Sequence, residues 1–289
     1  MISNLNYKPY DLYIDSNSEV QIVKDWNSMK FSSRLNLAIQ QFNQNRRNRQ
    51  IWNATSIQAG MWTAVRDNHS VLAISDPQRG KSMGWILPML DKLMPGSSHE
   101  HQYEDLLDEG LSPLCIVLAP FQNDVQKIVS TLKELVDLGQ SGEHIRVNSV
   151  HENMDDMTAM INLTNGSDIV VTTPPCLKRY LIDYETSPAQ GLQLVNMLRT
   201  CHLVIEDAHI TLSHFPNEMT ALLAEFSSPQ HAHKPLLPHL VESRKILQVQ
   251  GKYLKRGTYL VVLMRKDIWP LKRRLSYHFG SVEFFSRKF

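Results

Sequence analysis

Between the apolar run Val71-Leu72-Ala73-Ile74 and a stretch of helical period from Ser82 to Leu93 lies the loop Ser75-Asp76-Pro77-Gln78-Arg79-Gly80-Lys81-Ser82. A tight turn that leaves a strand and enters a helix directs backbone N–H groups and the positive helix end at an anion. Lys81 adds a point charge there, and the Ser82 hydroxyl is placed to ligate Mg²⁺ beside the β and γ phosphates of a nucleotide. Such a loop needs a strand ending where a helix begins, which narrows the chain to α/β architectures. One position departs from an ideal phosphate loop: Gln78 stands where glycine would permit φ > 0 and close approach to phosphate, so reduced nucleotide affinity is expected.

The rest of the chain repeats the strand-then-helix alternation. Apolar or β-branched runs recur at Leu114-Cys115-Ile116-Val117-Leu118, Ile145-Arg146-Val147, Asp168-Ile169-Val170-Val171, Leu203-Val204-Ile205 and Lys245-Ile246-Leu247-Gln248-Val249, with Thr258 to Leu263 a further strand candidate. Val125, Ile128, Val129, Leu132, Leu135 and Val136 recur at three and four residues and predict a one-faced helix; Asn217 to Phe226 reads the same way. This order is the signature of a parallel β-sheet with helices on both faces. Residues 1–35 are polar and aperiodic and are expected to form an N-terminal extension. Residues 36–250 form the nucleotide-binding domain, and 251–289 a basic C-terminal segment, either a linker or the start of a second domain. Pro95 to Pro113, rich in acids and small residues, reads as a surface loop.

Composition excludes several classes. At 289 residues with 42% hydrophobic side chains a sizeable core is available, and no apolar run approaches the roughly 18 residues needed to cross a bilayer. The polar start is unlike a signal peptide, so a cytoplasmic protein is expected. Cys115, Cys176 and Cys201 are widely spaced and odd in number, which argues for reduced, structural thiols. The pairs His99/His101 and His231/His233 lack further ligands at metal-site spacing. The net charge of +1 hides a basic stretch from Arg244 to Phe289, readable as an RNA-binding surface or as ordinary solvated charge.

Continued as Met83-Gly84-Trp85-Ile86-Leu87-Pro88, the phosphate loop resembles motif I of the DEAD-box RNA helicases, and other stations fall in that family's order. Ala54-Thr55-Ser56-Ile57-Gln58 resembles the Q motif, which implies that the Gln58 amide reads adenine and that Phe42, sixteen residues earlier, stacks on the base. Without the resemblance, Gln58 reads as a polar residue at a helix start. Pro120-Phe121-Gln122 stands where the family has an RNA-contacting Pro-Thr-Arg, and Thr173-Pro174 is similar to its Thr-Pro-Gly-Arg, here without the Gly and Arg. The resemblance makes these RNA-phosphate contacts; on the residues alone, Thr173 reads equally as a helix cap.

After Leu203-Val204-Ile205 comes Glu206-Asp207-Ala208-His209, where the family has Asp-Glu-Ala-Asp or Asp-Glu-Ala-His. By resemblance Glu206 holds Mg²⁺ through water, alongside Ser82, and Asp207 orients the attacking water. The two acids are exchanged, so the expected base is one methylene short and hydrolysis should be weak or absent. Gln248-Val249-Gln250 replaces the family's Ser-Ala-Thr, and neither His-Arg-x-Gly-Arg nor Ala-Arg-Gly-x-Asp is present. The resemblance therefore implies the first RecA-like, P-loop half of such a helicase, with ATP and Mg²⁺ as cofactors and single-stranded RNA bound without sequence preference. The alternative is an inactive helicase-like scaffold. The decay of motifs resembles the Yb-type Tudor-domain helicases of the animal small-RNA (piRNA) silencing pathway, which implies ribonucleoprotein-granule partners and a cytoplasmic, perinuclear setting. A GTPase or kinase with the same loop is disfavoured, because no Asn-Lys-x-Asp guanine motif appears.

Overall fold

The computed structural model describes residues 12–15, 22–23, 27–45, 54–67, 69, 71–75, 78–94, 112–141, 145–183, 194–195, 200, 202–227, 259–264 and 283–287. In chain order the elements are β1 (Leu12–Asp15), α1 (Ser33–Asn45), α2 (Ser56–Arg66), β2 (Val71–Ile74), α3 (Lys81–Leu93), β3 (Cys115–Leu118), α4 (Gln122–Leu138), β4 (Val147–Val150), α5 (Asp156–Thr164), β5 (Ile169–Thr172), α6 (Pro174–Leu181), β6 (His202–Ile205), α7 (Ala208–His214), α8 (Pro216–Ser227), β7 (Tyr259–Met264) and β8 (Glu283–Arg287). The chain falls into two compact units, Met1–Glu100 with Thr131–His144 and Leu260–Phe289, and His101–Ser130 with Ile145–Tyr259.

In the first unit the strands run in the order β1-β8-β2-β7. Strand β2 pairs parallel with β7 (Val71↔Val261) and with β8 (Val71↔Glu283), and β1 closes the edge antiparallel to β8 (Leu12↔Arg287). All four residues of β2 are buried, as expected of a central parallel strand covered on both faces. Strand β7 falls where the sequence places its last candidate. Strands β1 and β8 lie in the stretches whose composition reads as extension and as linker, and they exist through pairing with partners far away in the chain. Helix α2 begins with a capping box: the Thr55 hydroxyl accepts from the Gln58 N–H, and the Gln58 side chain accepts from the Thr55 N–H. Helices α2 and α3 approach closely, since a Cβ on Gly84 would lie 2.8 Å from Met61 Sδ, and Trp62 Nε1 donates to the Met83 carbonyl at 3.2 Å. At the far end of α3 the buried Lys92 donates to the Val65 carbonyl (2.6 Å), and Asp91 accepts from the Ser32 N–H (2.7 Å), joining α3 to the end of α2 and the start of α1.

In the second unit the order is β6-β3-β5-β4, with β3 parallel to both β5 and β6 and β4 parallel to β5. Strands β3, β5 and β6 are buried throughout, whereas Asn148 and Ser149 in the outer strand β4 are only half-buried. The buried carboxylate of Asp168 fixes the start of β4 against β5: it accepts from the Arg146 backbone N–H (2.8 Å) and from Arg146 Nε (3.2 Å). Asn148 Nδ2 donates to the carbonyls of Asn162 (2.9 Å) and Gly166 (3.1 Å), while Asn162 Nδ2 donates back to the Ser149 carbonyl at 3.2 Å. The periodic run from Val125 is helix α4, and Pro216–Ser227 forms α8 where a helix is expected. The candidate strand at Lys245 to Val249, both His-x-His pairs, residues 95–111 and Cys201 lie outside the described residues. Cys115 and Cys176 are buried free thiols, in line with a reduced, structural reading of these two.

Candidate nucleotide and nucleic-acid sites

The phosphate loop emerges from β2 in the first unit. Asp76 and Pro77 lie outside the described residues, and Gln78 and Arg79 are exposed. Gln78 adopts φ 60, the left-handed region that the sequence assigns to a glycine. Gly80, at φ 83 and ψ 20, is the N-cap of α3, with no side-chain cap and no acidic residue in the helix's first turn. The Thr55 hydroxyl donates to the Arg79 carbonyl (2.8 Å) and Gln58 Nε2 donates to the Gly80 carbonyl (3.0 Å). In a planar trans peptide the carbonyl and the following N–H point in opposite directions. Tying these two carbonyls to α2 therefore turns the N–H groups of Gly80 and Lys81 away from it, toward the side where a phosphate can approach. A Cβ on Gly80 would fall 2.3 Å from Gln58 Nε2, so only glycine allows this clamp.

Lys81 is buried and its Nζ donates to the Ser75 carbonyl at 2.9 Å, folded back under the loop. Ser82, on the first turn of α3, is half-buried. The donor set fits a polyphosphate: outward amides, a helix N-terminus, an ammonium group and a hydroxyl.

Gln58 is 4% exposed, and its amide is partly engaged: Oε1 with the Thr55 N–H (3.0 Å), Nε2 with Gly80. A carboxamide has two donor hydrogens and two acceptor lone pairs, so one of each remains for an adenine edge. The helix-start reading of Gln58 holds, and its bond to the Gly80 carbonyl is a contact that the sequence did not assign. Phe42, on α1, is 2% exposed and lies among the core side chains of that helix. Thr55 was assigned no contact from sequence. Its bond to Arg79 joins residues that only the tertiary fold brings together.

The acidic pair belongs to the second unit. Glu206 is buried, its N–H donates to the Leu118 carbonyl at 2.8 Å, and its own carbonyl accepts from the Thr211 hydroxyl at 2.9 Å. Asp207 caps α7 in the left-handed region, at φ 41 and ψ 49. Non-glycine residues rarely adopt this conformation, and Asp and Asn are among those that tolerate it best. The exchange of acids thus puts the shorter side chain at the strained position.

The residues assigned to RNA also sit at strand ends of the second unit, after β3 and β5. Pro120, Thr173 and Pro174 are buried, so their side chains present little surface; Phe121 is 45% exposed and Gln122 half-buried. Phe121 meets the His214 ring edge-on with centroids 5.5 Å apart. Gln122 Oε1 accepts from Asn153 Nδ2, and the Thr173 hydroxyl donates to Glu152 Oε1. Thr173 occupies the N-cap of α6 but makes no side-chain cap, so its expected alternative role as a cap is not realised. Behind it, burial pushes the Cys176 thiol up to about 11. Both cations of α6 have acidic partners, Lys178 with Asp183 and Arg179 with Asp156 at 3.2 Å. Among the described residues no helix is long and apolar enough to cross a membrane, and no cluster of three or more His, Cys, Asp or Glu could hold a metal ion.

Comparisons with known proteins agree with this layout. The DEAD/DEAH box helicase family model matches residues 55–238, more than half of the chain. The splicing helicase PRP28 of Kluyveromyces lactis is 26% identical over 209 residues, 72% of this chain and 36% of that protein. TDRD12 of Bombyx mori, a protein assigned by name to the ATP-dependent RNA helicases, is 24% identical over 182 residues, 63% of this chain but 9% of that protein. Among solved structures, Prp28 from Chaetomium thermophilum bound to ADP superposes on 96% of this chain with TM-score 0.67 and 14% identity, and yeast Prp28 with TM-score 0.66. This chain spans 54% of the first Prp28 chain and 55% of the second, and the shared fold is the RecA-like parallel sheet with flanking helices. With the family model covering the loop at Gly80 and the acids at 206 and 207, this chain belongs to the DEAD/DEAH box helicase family.

Proposed function

We propose that the chain is the ATP-binding first half of an RNA helicase, taking ATP with Mg²⁺ and single-stranded RNA and turning nucleotide over slowly or not at all. The observation that carries the nucleotide reading is the clamp of Thr55 and Gln58 on the Arg79 and Gly80 carbonyls, which turns two loop amides outward. In this reading Lys81 and the loop amides of the first unit hold the phosphates, Gln58 reads adenine and Ser82 is a ligand for Mg²⁺, while in the second unit Glu206 is a carboxylate suited to hold Mg²⁺ through water. The metal supplies charge neutralisation on the phosphates, and Asp207 orients water. Titration of a fluorescent ATP analogue, with and without Mg²⁺ and an oligouridylate, tests it. Saturable binding is expected, and Lys81→Ala should weaken it on the order of 100-fold, the loss of charge-assisted hydrogen bonds. Equal binding by the variant would overturn the reading.

The second reading is a helicase-like scaffold that clamps RNA or protein without turnover. It is favoured by the exchanged acids and by the left-handed Asp207. RNA-stimulated phosphate release that disappears in Lys81→Ala would exclude it. The motif decay further supports a place in cytoplasmic, perinuclear granules of a small-RNA silencing pathway, which immunofluorescence against a granule marker tests.

A further inference from the structure

The two polar residues assigned to RNA phosphate in the second unit, Gln122 and Thr173, come from different strand ends. Both are bonded to consecutive residues of one turn. Asn153 Nδ2 donates to Gln122 Oε1, and Thr173 Oγ1 donates to Glu152 Oε1. Glu152 and Asn153 are themselves exposed, whereas Thr173 is fully buried beneath its partner. An exposed carboxylate thus occupies a hydroxyl at the start of α6, a position that the RNA reading assigns to phosphate contact. At the root of the turn, His151 Nδ1 is buried without a hydrogen-bond partner, a cost that leaves this segment off its hydrogen-bonding optimum.

We propose that the turn Glu152–Asn153 is a built-in competitor for nucleic acid: the Glu152 carboxylate takes the Thr173 hydroxyl, Asn153 fixes the Gln122 amide through its oxygen, and RNA must displace Glu152 to engage Thr173. The idea rests on the RNA reading above and names the regulation of that same surface. Displacing a neutral amide contact costs little. Displacing Glu152 means moving a carboxylate away from its donor and opposing a phosphate with a like charge, so Glu152 carries most of the effect.

The test is a fluorescence-anisotropy titration of a fluorescein-labelled oligouridylate with the full chain, at low and at raised potassium chloride. Glu152→Gln keeps size and removes charge, and it should tighten binding on the order of tenfold. Glu152→Ala, at the same exposed site, should do likewise. Adding Thr173→Val to Glu152→Gln should return affinity to that of the parent. Asp155→Asn is the control for unspecific charge removal, since Asp155 is an exposed acid that caps α5 and Asn caps equally well. It should change affinity less than about twofold, because an exposed charge without the Thr173 contact acts only through screened electrostatics. If the parent and both Glu152 variants bind alike, or if Asp155→Asn gains as much, the competitor idea fails while RNA binding stands. If none binds at low salt although circular dichroism shows each folded, the RNA reading falls and takes the competitor with it.

Discussion

In the first unit the polar contacts around the phosphate loop run from side chains to loop carbonyls, from Thr55 to Arg79, Gln58 to Gly80 and Lys81 to Ser75. In the second unit the contacts beyond the ends of β3 and β5 run from side chain to side chain, Asn153 to Gln122 and Thr173 to Glu152. The first arrangement spends side chains on shaping backbone and leaves amides pointing outward for a ligand. The second spends them on one another. A motif whose chemistry lies in the main chain can lose a glycine, as at Gln78, and keep its form. A motif that works through a few side chains depends on what those side chains bond to, and at Thr173 that is the Glu152 carboxylate.

The contrast is sharpened most by restoring the acids. Glu206→Asp with Asp207→Glu lengthens the base by one methylene, and a change near 1 Å in its reach should raise phosphate release on the order of 100-fold; a single-turnover assay with RNA present reads it. Next comes Gly80→Ala, which forces a Cβ into 2.3 Å contact with Gln58 and a left-handed alanine. A loss of about 2 kcal/mol in urea unfolding is expected, together with loss of nucleotide binding. The reverse change, Gln78→Gly, relieves φ 60 and should add about 1 kcal/mol and tighten nucleotide a few-fold. The smallest effect belongs to Cys176. Its thiol is pushed up from 9.0 to about 11, first by burial, so the folded state keeps its proton where the unfolded chain has released it. Stability from this group is therefore full below pH 9 and declines as pH rises toward 11, a slope that a Cys176→Ala variant should lack.

Much of the fold was legible because it rests on local pattern. The buried strands β3, β5 and β6 are continuous apolar runs, and α4 shows its face at three- and four-residue spacing. Strands β1 and β8 escaped. Leu12–Asp15 is a short run in polar surroundings, and its pairing with Glu283–Arg287 joins opposite ends of the chain. The candidate site divides the same way. Gly80, Lys81 and Ser82 are adjacent in sequence, so their chemistry can be read from spacing. The burial of Phe42 is not legible in the same way, because spacing carries no information on burial. The Thr55–Arg79 and Glu152–Thr173 bonds span 24 and 21 residues and join segments that only the tertiary fold brings together.

The bonding of Asn162 to Asn148 and Ser149 of β4 bears on how the second unit behaves among its own copies. Alternation along β4 turns Arg146 O toward β5, where Asp168 and Ile169 donate to it, and so turns Ser149 O to the open flank. There Asn162 already claims it from the overlying helix. A foreign strand adding to that flank would have to strip away this amide first. Among the described residues β4 ends the strand order and Asn162 covers its free carbonyl, so Asn162→Ala should make the protein more prone to aggregate before it becomes markedly less stable, which light scattering set against urea unfolding reads.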